Sequence, residues 1–184
     1  MNSLLYKHYK EIVAPALKKE LGYKNVMQAP RVEKAVLNVG YGKHVKDKKY
    51  IEHVEKTLTM ISGQKPIHNK TTKSISNFKI RSGMSIGASV TMRGESMYEF
   101  LYKLIHLAFP RVRDFRGISP KSFDRQGNYS VGLKEQLAFP EITAEMTDII
   151  HGLEITVVTN AKTKEEGLAL LKKLGFPFHE KTRA

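Results

Sequence analysis

The chain has no cysteine. That excludes disulfides, thiolate zinc sites and thiol nucleophiles together, and it fits a reducing compartment. No apolar run approaches the roughly 20 residues that cross a bilayer. No helical pattern is basic on one face with aromatic anchors on the other, so no membrane partner is expected. The opening residues, MNSLLYKHYKEIVAPALKKELGY, lack the apolar core of a signal peptide. They also carry Glu11 and Glu20, which transit peptides avoid; a cytoplasmic protein is expected. The most informative absence is of acids. Between Glu55 and Glu95 there is none, while Lys56, Lys65, Lys70, Lys73, Lys79, Arg81 and Arg93 all fall there.

What is present is one domain's worth of chain, 184 residues with 41% hydrophobic content, so a single folded domain over 1–184 is expected. Lysine and arginine number 31 against 18 acids, a formal charge of +13. The excess is uneven: residues 1–132 hold 24 basic residues and 10 acids, residues 133–184 hold 7 and 8. A merely solvated surface intersperses the signs. A one-sided surplus costs self-repulsion that a polyanion relieves, which points to a nucleic-acid face.

Leu5, Ile12, Val13, Ala16, Leu17 and Leu21 recur at helical spacing up to Gly22, with Pro15 a candidate kink. VEKAVLNVG alternates as a strand ending at Gly40. Asp47 predicts the cap of a helix whose stripe is Ile51, Val54, Leu58 and Ile61, closed by Gly63. KPIHNKTTKSISNFKIRSGMSIGASVTMRG reads as strands joined by a flexible loop. Ser96 with Glu99 predicts a capping box for a helix running to Phe109 and ended by Pro110. GLEITVVTNA alternates again, and Thr163 with Glu166 caps a last helix that Gly175 and Pro177 end. Elements mixed without a strict βαβα rhythm predict an α+β fold, with a largely antiparallel sheet, packed helices and long basic loops. The longest such loop, RVRDFRGISPKSFDRQGNYSVG (residues 111–132), shows no sustained period and reads as a segment the core does not use.

Motifs that would carry a reaction fail in context. GMSIG (Gly83 to Gly87) matches a nucleophile elbow in letters, but the ASVTMRG that follows alternates like a strand and supplies no helix. GYGKHV has Val45 where a dinucleotide fingerprint needs its third glycine. The seven histidines (8, 44, 53, 68, 106, 151 and 179) show no metal-ligand spacing, and His106 lies in an apolar helix as a packing residue. Acids are absent where the positive charge concentrates, so no acid–base pair is available there. No enzyme activity, cofactor, metal or small-molecule substrate is expected.

Binding chemistry is better supplied. Lysines and arginines of the acid-free span suit phosphates. Asn38, Gln64, Asn69 and Thr91 are able to bond base edges or a 2′-hydroxyl, or else to bond their own turns. Phe78, Phe115, Phe123 and Tyr129 stand beside cations, free to stack on bases or to pack their own loops.

SGQKP, NFKIRSG, VTMRGE, FPRVRDFRG, KSFDRQGNYS and KKLGFPF, in that order, resemble the bacterial-type 5S rRNA-binding proteins of the large ribosomal subunit, the ribosomal protein L-five family. The resemblance runs from VMQAPRVEKAVLNVG nearly to the C-terminus, departing at MSIG, where the family often has a proline, and in the polar tail after Phe178. It implies a structural component of the central protuberance that binds 5S rRNA and large-subunit rRNA. Carried over by motif, Asn38, Gln64 and Thr91 become RNA hydrogen-bonders, and Lys65, Lys70 and Arg93 phosphate contacts. KSISNFKIRSG implies a contact with P-site tRNA through Lys73, Lys79 and Arg81. RVRDFRG implies an intersubunit contact with a small-subunit head protein through Arg111, Arg113 and Arg116. A free RNA chaperone or regulator, and an RNA-modifying enzyme, are the competing readings.

Overall fold

In the computed structural model, which describes residues 3–142 and 149–179, strict alternation in the sequence becomes a five-stranded antiparallel sheet. The strands are β1 (Val32–Gly40), β2 (Ile67–Lys70), β3 (Ser85–Met92), β4 (Tyr129–Leu133) and β5 (Leu153–Thr159), in spatial order β2-β3-β1-β5-β4. Ala35, Leu37 and Val39 of β1 are buried, as are Ala88, Val90 and Met92 of β3 and Leu153, Ile155 and Val157 of β5. The intervening residues face the other way, as a period of two requires. With four helices among the described residues the fold is α+β, as the sequence predicts.

Helix α1 covers residues 4–20, α2 is Lys48–Ser62, α3 covers residues 94–111 and α4 is Lys164–Lys173. Asp47 caps α2 by accepting from the Lys49 and Tyr50 amides at 3.0 and 3.3 Å, and Gly63 ends it in the left-handed region. Thr163 caps α4 through the Glu166 amide at 3.4 Å. At the start of α3 the expectation is corrected. Arg93 occupies the N-cap position and the helix begins at Gly94, so Ser96 sits inside the first turn and caps nothing.

Pro15 and Pro110 share a local setting, and for Pro110 the expected role is corrected. Each follows a π-helical segment, Tyr9–Val13 before Pro15 and Leu104–Ala108 before Pro110. A proline removes a donor and crowds the carbonyl four residues back, and a wider π turn accommodates both. Pro110 therefore does not end α3, which runs on to Arg111. The extra residue in α1 rotates its apolar stripe, so Leu5, Val13 and Leu17 are buried while Ile12 is 59% exposed.

The chain divides into two compact units, Met1–Ala35 with Met92–Val131 and Thr156–Ala184, and Val36–Thr91 with Gly132–Ile155. In the first, Leu17, Leu101, Leu104, Phe109, Leu170 and Leu171 are fully enclosed. Tyr23 donates to Glu166 at 2.6 Å, and that bond raises its phenol to about 12. Here too the reading of residues 111–132 is corrected. Ile118, Phe123 and Tyr129 are buried, with the Phe123 and Tyr129 rings 4.7 Å apart and Tyr129 against Phe178 at 5.5 Å. Ile118 bridges Phe178, its amide donating to Pro177 O at 2.8 Å. Asp124 holds the turn that follows, accepting from the Gln126 and Asn128 amides at 2.9 and 2.8 Å. That turn sets Gly127, at φ +78, directly on Gly167 of α4.

The second unit encloses Val39, Tyr41, Val54, Leu58, Ile61, Ala88 and Val90. Its polar interior is ordered by Gln136, which is wholly buried, donates to Ile149 O at 2.7 Å and accepts from the His151 amide at 2.8 Å. His151 is buried beside His53, their rings 5.8 Å apart, and burial followed by the His53 charge holds its imidazole below the usual 6.5. The polar tail beyond His179 lies outside the described residues.

Candidate nucleic-acid interface

In the second unit, the side of the sheet turned away from its buried residues carries a polar strip, with Val36 and the exposed Ile67 on the same side. Asn38 alternates with the buried Leu37 and Val39, and Ser89 and Thr91 alternate with the buried Ala88 and Val90. The antiparallel register of β2 with β3 places Ile67 opposite Ser89 and Asn69 opposite Gly87 on that same side. Ser89 donates to Asn69 Oδ1 at 3.2 Å, so Asn69 is a strand residue bonded across the sheet and not a turn former. At Gly87 an added Cβ would stand 3.0 Å from Val39 O, and the absent side chain leaves the strip flat. The Asn38 and Thr91 side chains make no hydrogen bond among the described residues. Ser89 and Gly87 were missed by sequence reasoning; the period-two phase of β3 is the signal that finds Ser89.

The rim beside the strip starts where α2 ends. Ser62 donates to Leu58 O at 2.6 Å and accepts from the Gln64 amide at 3.2 Å, fixing the turn and leaving the Gln64 carboxamide exposed. Lys65 is exposed, and Lys70 is exposed past a register shift at the end of β2. The acid-free stretch of sequence is not acid-free in space. Glu55 reaches across from α2, with Lys65 Nζ 3.5 Å from Oε1 and His68 Nε2 3.5 Å from Oε2. His68 Nδ1 in turn lies 2.8 Å from the Tyr41 hydroxyl. Burial, and next the Glu55 charge, raise the Tyr41 phenol above its ordinary value.

Residues 71–84, expected as a flexible loop, are instead closed by their own bonds. Thr71 donates through its hydroxyl to Arg81 O, and its amide to Met84 O at 2.9 Å. Ser82 bonds Ser74 Oγ at 2.9 Å and Thr72 O at 3.1 Å, and Ile75 and Ile80 pair as a bridge. The tip turns on Lys79 in the left-handed region. Lys73, Lys79 and Arg81 are all exposed on this hairpin, and Phe78 is 71% exposed between them.

The remaining candidates belong to the first unit. Arg93 is exposed at the N-cap of α3. Arg111, Arg113 and Arg116 are exposed, over a base formed by Phe115 stacked on Phe109 at 5.4 Å. Of the four aromatics considered for stacking, Phe78 alone stands clear; Phe115 is half-buried, and Phe123 and Tyr129 are core. His106 is exposed beside Tyr102, with ring centroids 4.4 Å apart, and is not the packing residue expected. Ser85 opens β3 and no helix follows it in elbow fashion. Among the described residues no three His, Asp or Glu side chains are placed to hold a metal, and no helix is long and apolar enough to cross a membrane.

Family models match most of this framework. Residues 25–81 match ribosomal protein L5 and residues 85–178 match the ribosomal L5P family C-terminus. The chain belongs to the ribosomal protein L5 family. The two matches meet on the returning arm of the 71–84 hairpin. Large ribosomal subunit protein uL5 of Halothermothrix orenii is 53% identical over 178 residues, 97% of this chain and 99% of that one. The uL5 of Colwellia psychrerythraea is 55% identical over 177 residues, 96% and 98% of the two chains. That of Symbiobacterium thermophilum is 56% identical over 173 residues, 94% and 96%. L5 is a structural ribosomal protein of the large subunit, not an enzyme, and its partners are ribosomal RNA and the ribosome.

Proposed function

We propose that the chain acts as one RNA-binding domain that holds 5S rRNA in the central protuberance, in contact with large-subunit rRNA. One observation carries this reading. The polar strip of Asn38, Asn69, Ser89 and Thr91 lies opposite the buried side of the sheet, and the Asn38 and Thr91 side chains have no partner of their own among the described residues. Amides and hydroxyls on such a surface suit base edges and 2′-hydroxyls. Gln64, Lys65 and Lys70 flank the strip, and Arg93 adds a further phosphate contact. The hairpin cations Lys73, Lys79 and Arg81 meet P-site tRNA. Arg111, Arg113 and Arg116 meet a small-subunit head protein and form an intersubunit bridge.

Crosslinking the protein in cell extract and sequencing the bound RNA tests the principal claim. Enrichment of 5S rRNA over messenger RNA is expected. The reverse enrichment refutes the proposal and favours a free RNA chaperone.

A further inference from the structure

Glu55 is a carboxylate beside an exposed lysine of the proposed RNA rim, and it is held there. Lys65 is 81% exposed and Glu55 30% exposed, 3.5 Å apart. The other carboxylate oxygen faces His68 Nε2 at 3.5 Å, and His68 Nδ1 meets Tyr41 at 2.8 Å. Tyr41 is buried, and burial followed by the Glu55 charge raises its phenol above its ordinary value. The chain Tyr41–His68–Glu55–Lys65 thus fixes a negative charge where the sequence shows only positive ones.

We propose that Glu55 is a specificity-determining residue that withholds Lys65 from indiscriminate phosphate binding. This rests on the RNA-binding reading above. A phosphate that takes Lys65 must approach Glu55, and like charges brought together suppress wrong partners. A folded RNA that holds a hydrogen-bond donor, a 2′-hydroxyl or a base N–H, fixed at that point satisfies the carboxylate instead of repelling it, whereas a flexible single strand presents its donors at no fixed place and meets Glu55 with its phosphates. Because the pair is already neutral, seating a phosphate on it releases no net counterion. Lys65 therefore adds nothing to the salt dependence of non-specific binding, although an unpaired lysine would.

The test measures affinity against salt for a polyuridine oligonucleotide and, separately, for 5S rRNA. On polyuridine, Glu55→Gln should tighten binding several-fold and steepen the salt slope by about 0.7, the value for one single-strand phosphate. Lys65→Ala should leave the wild-type slope alone yet abolish the gain in the Glu55→Gln background, an outcome that a purely structural Glu55 does not produce. The preference for 5S rRNA over polyuridine should fall in Glu55→Gln. An unchanged slope in Glu55→Gln, a full loss of 0.7 on Lys65→Ala alone, or an undiminished preference overturns the inference. If wild type shows no preference for 5S rRNA, the proposed function fails instead, while the polyuridine slopes still decide the role of Glu55.

Discussion

Gly167→Ala sets a local preference against a packing constraint. Inside a helix, alanine is favoured over glycine by about 1 kcal/mol, so on propensity alone the substitution should stabilise α4. Tertiary contact opposes it. A Cβ at residue 167 would stand 2.8 Å from Gly127 Cα and 3.0 Å from its carbonyl carbon, with the carbonyl oxygen closer still. These are backbone atoms and cannot rotate aside. Gly127 O also accepts from Thr159 Oγ1 at 3.0 Å, and the adjoining Asn128 Oδ1 accepts from the Thr159 amide at 3.0 Å. Moving the turn far enough to admit a methyl group therefore strains buried bonds as well. Overpacking costs roughly 1–3 kcal/mol, and a buried hydrogen bond left open costs about 1–3 kcal/mol more. The expected net effect is a loss of roughly 2–4 kcal/mol, a fall of about 5–15 °C in the melting midpoint for a chain of this length. Urea melts of Gly167→Ala, Gly127→Ala and the double variant measure it. The double variant should fall short of the sum, because both residues contest the same gap. A Gly167→Ala protein as stable as wild type, or more so, would show that propensity wins and that the two backbones are not in contact.

Asn38→Ala and Gln64→Ala should each weaken 5S rRNA binding by about 1–3 kcal/mol without altering the salt slope, as read by filter binding across a salt series; losses below about 0.3 kcal/mol count against them as RNA ligands. Replacing Arg111, Arg113 and Arg116 together by serine should leave the melting temperature and 5S rRNA binding near wild type. Subunit joining, followed by stopped-flow light scattering, should slow, and more so at high salt; normal joining kinetics would remove these cations from the interface. Burial depresses the His151 imidazole, so the unfolded chain takes up its proton first as pH falls. The stability this supplies is complete above about 6.5 and is lost as pH drops through the lower folded value. Urea melts between about pH 5 and pH 7.5 should therefore show a shallower pH dependence in His151→Gln than in wild type.

Elements whose signal is local were legible. The alternation of β1 and β5, the caps at Asp47 and Thr163 and the terminal glycines 63 and 175 all stand where the pattern places them. Asn38 and Thr91 fall on the outward side of the sheet because a period of two fixes the side. What escaped depends on irregular helix turns and on contacts remote in sequence. The π turns break the 3.6 period that located Ile12 in the core. Ile118, Phe123 and Tyr129 have no period of their own and are buried by bridging and stacking with Phe178. Glu55 is separated from Lys65 by the end of α2 and a turn, so only the fold reveals that they meet. Ser96 and Glu99 formed a valid capping pattern, but the helix had already begun at Gly94.

The closure of residues 71–84 by their own hydrogen bonds bears on how such a contact is made and released. A segment that orders only when it touches a partner loses roughly 1–2 kcal/mol for every residue it fixes, at each encounter. Here that loss is incurred once, during folding. In the proposed tRNA contact, Phe78 and the cations around it stand on a backbone whose geometry is already set, so a small footprint suffices for a measurable grip. A small footprint also lets go quickly. If the proposed contact is made, the hairpin serves it as a finger that touches and withdraws, and not as a clamp that has to be melted before a partner can leave.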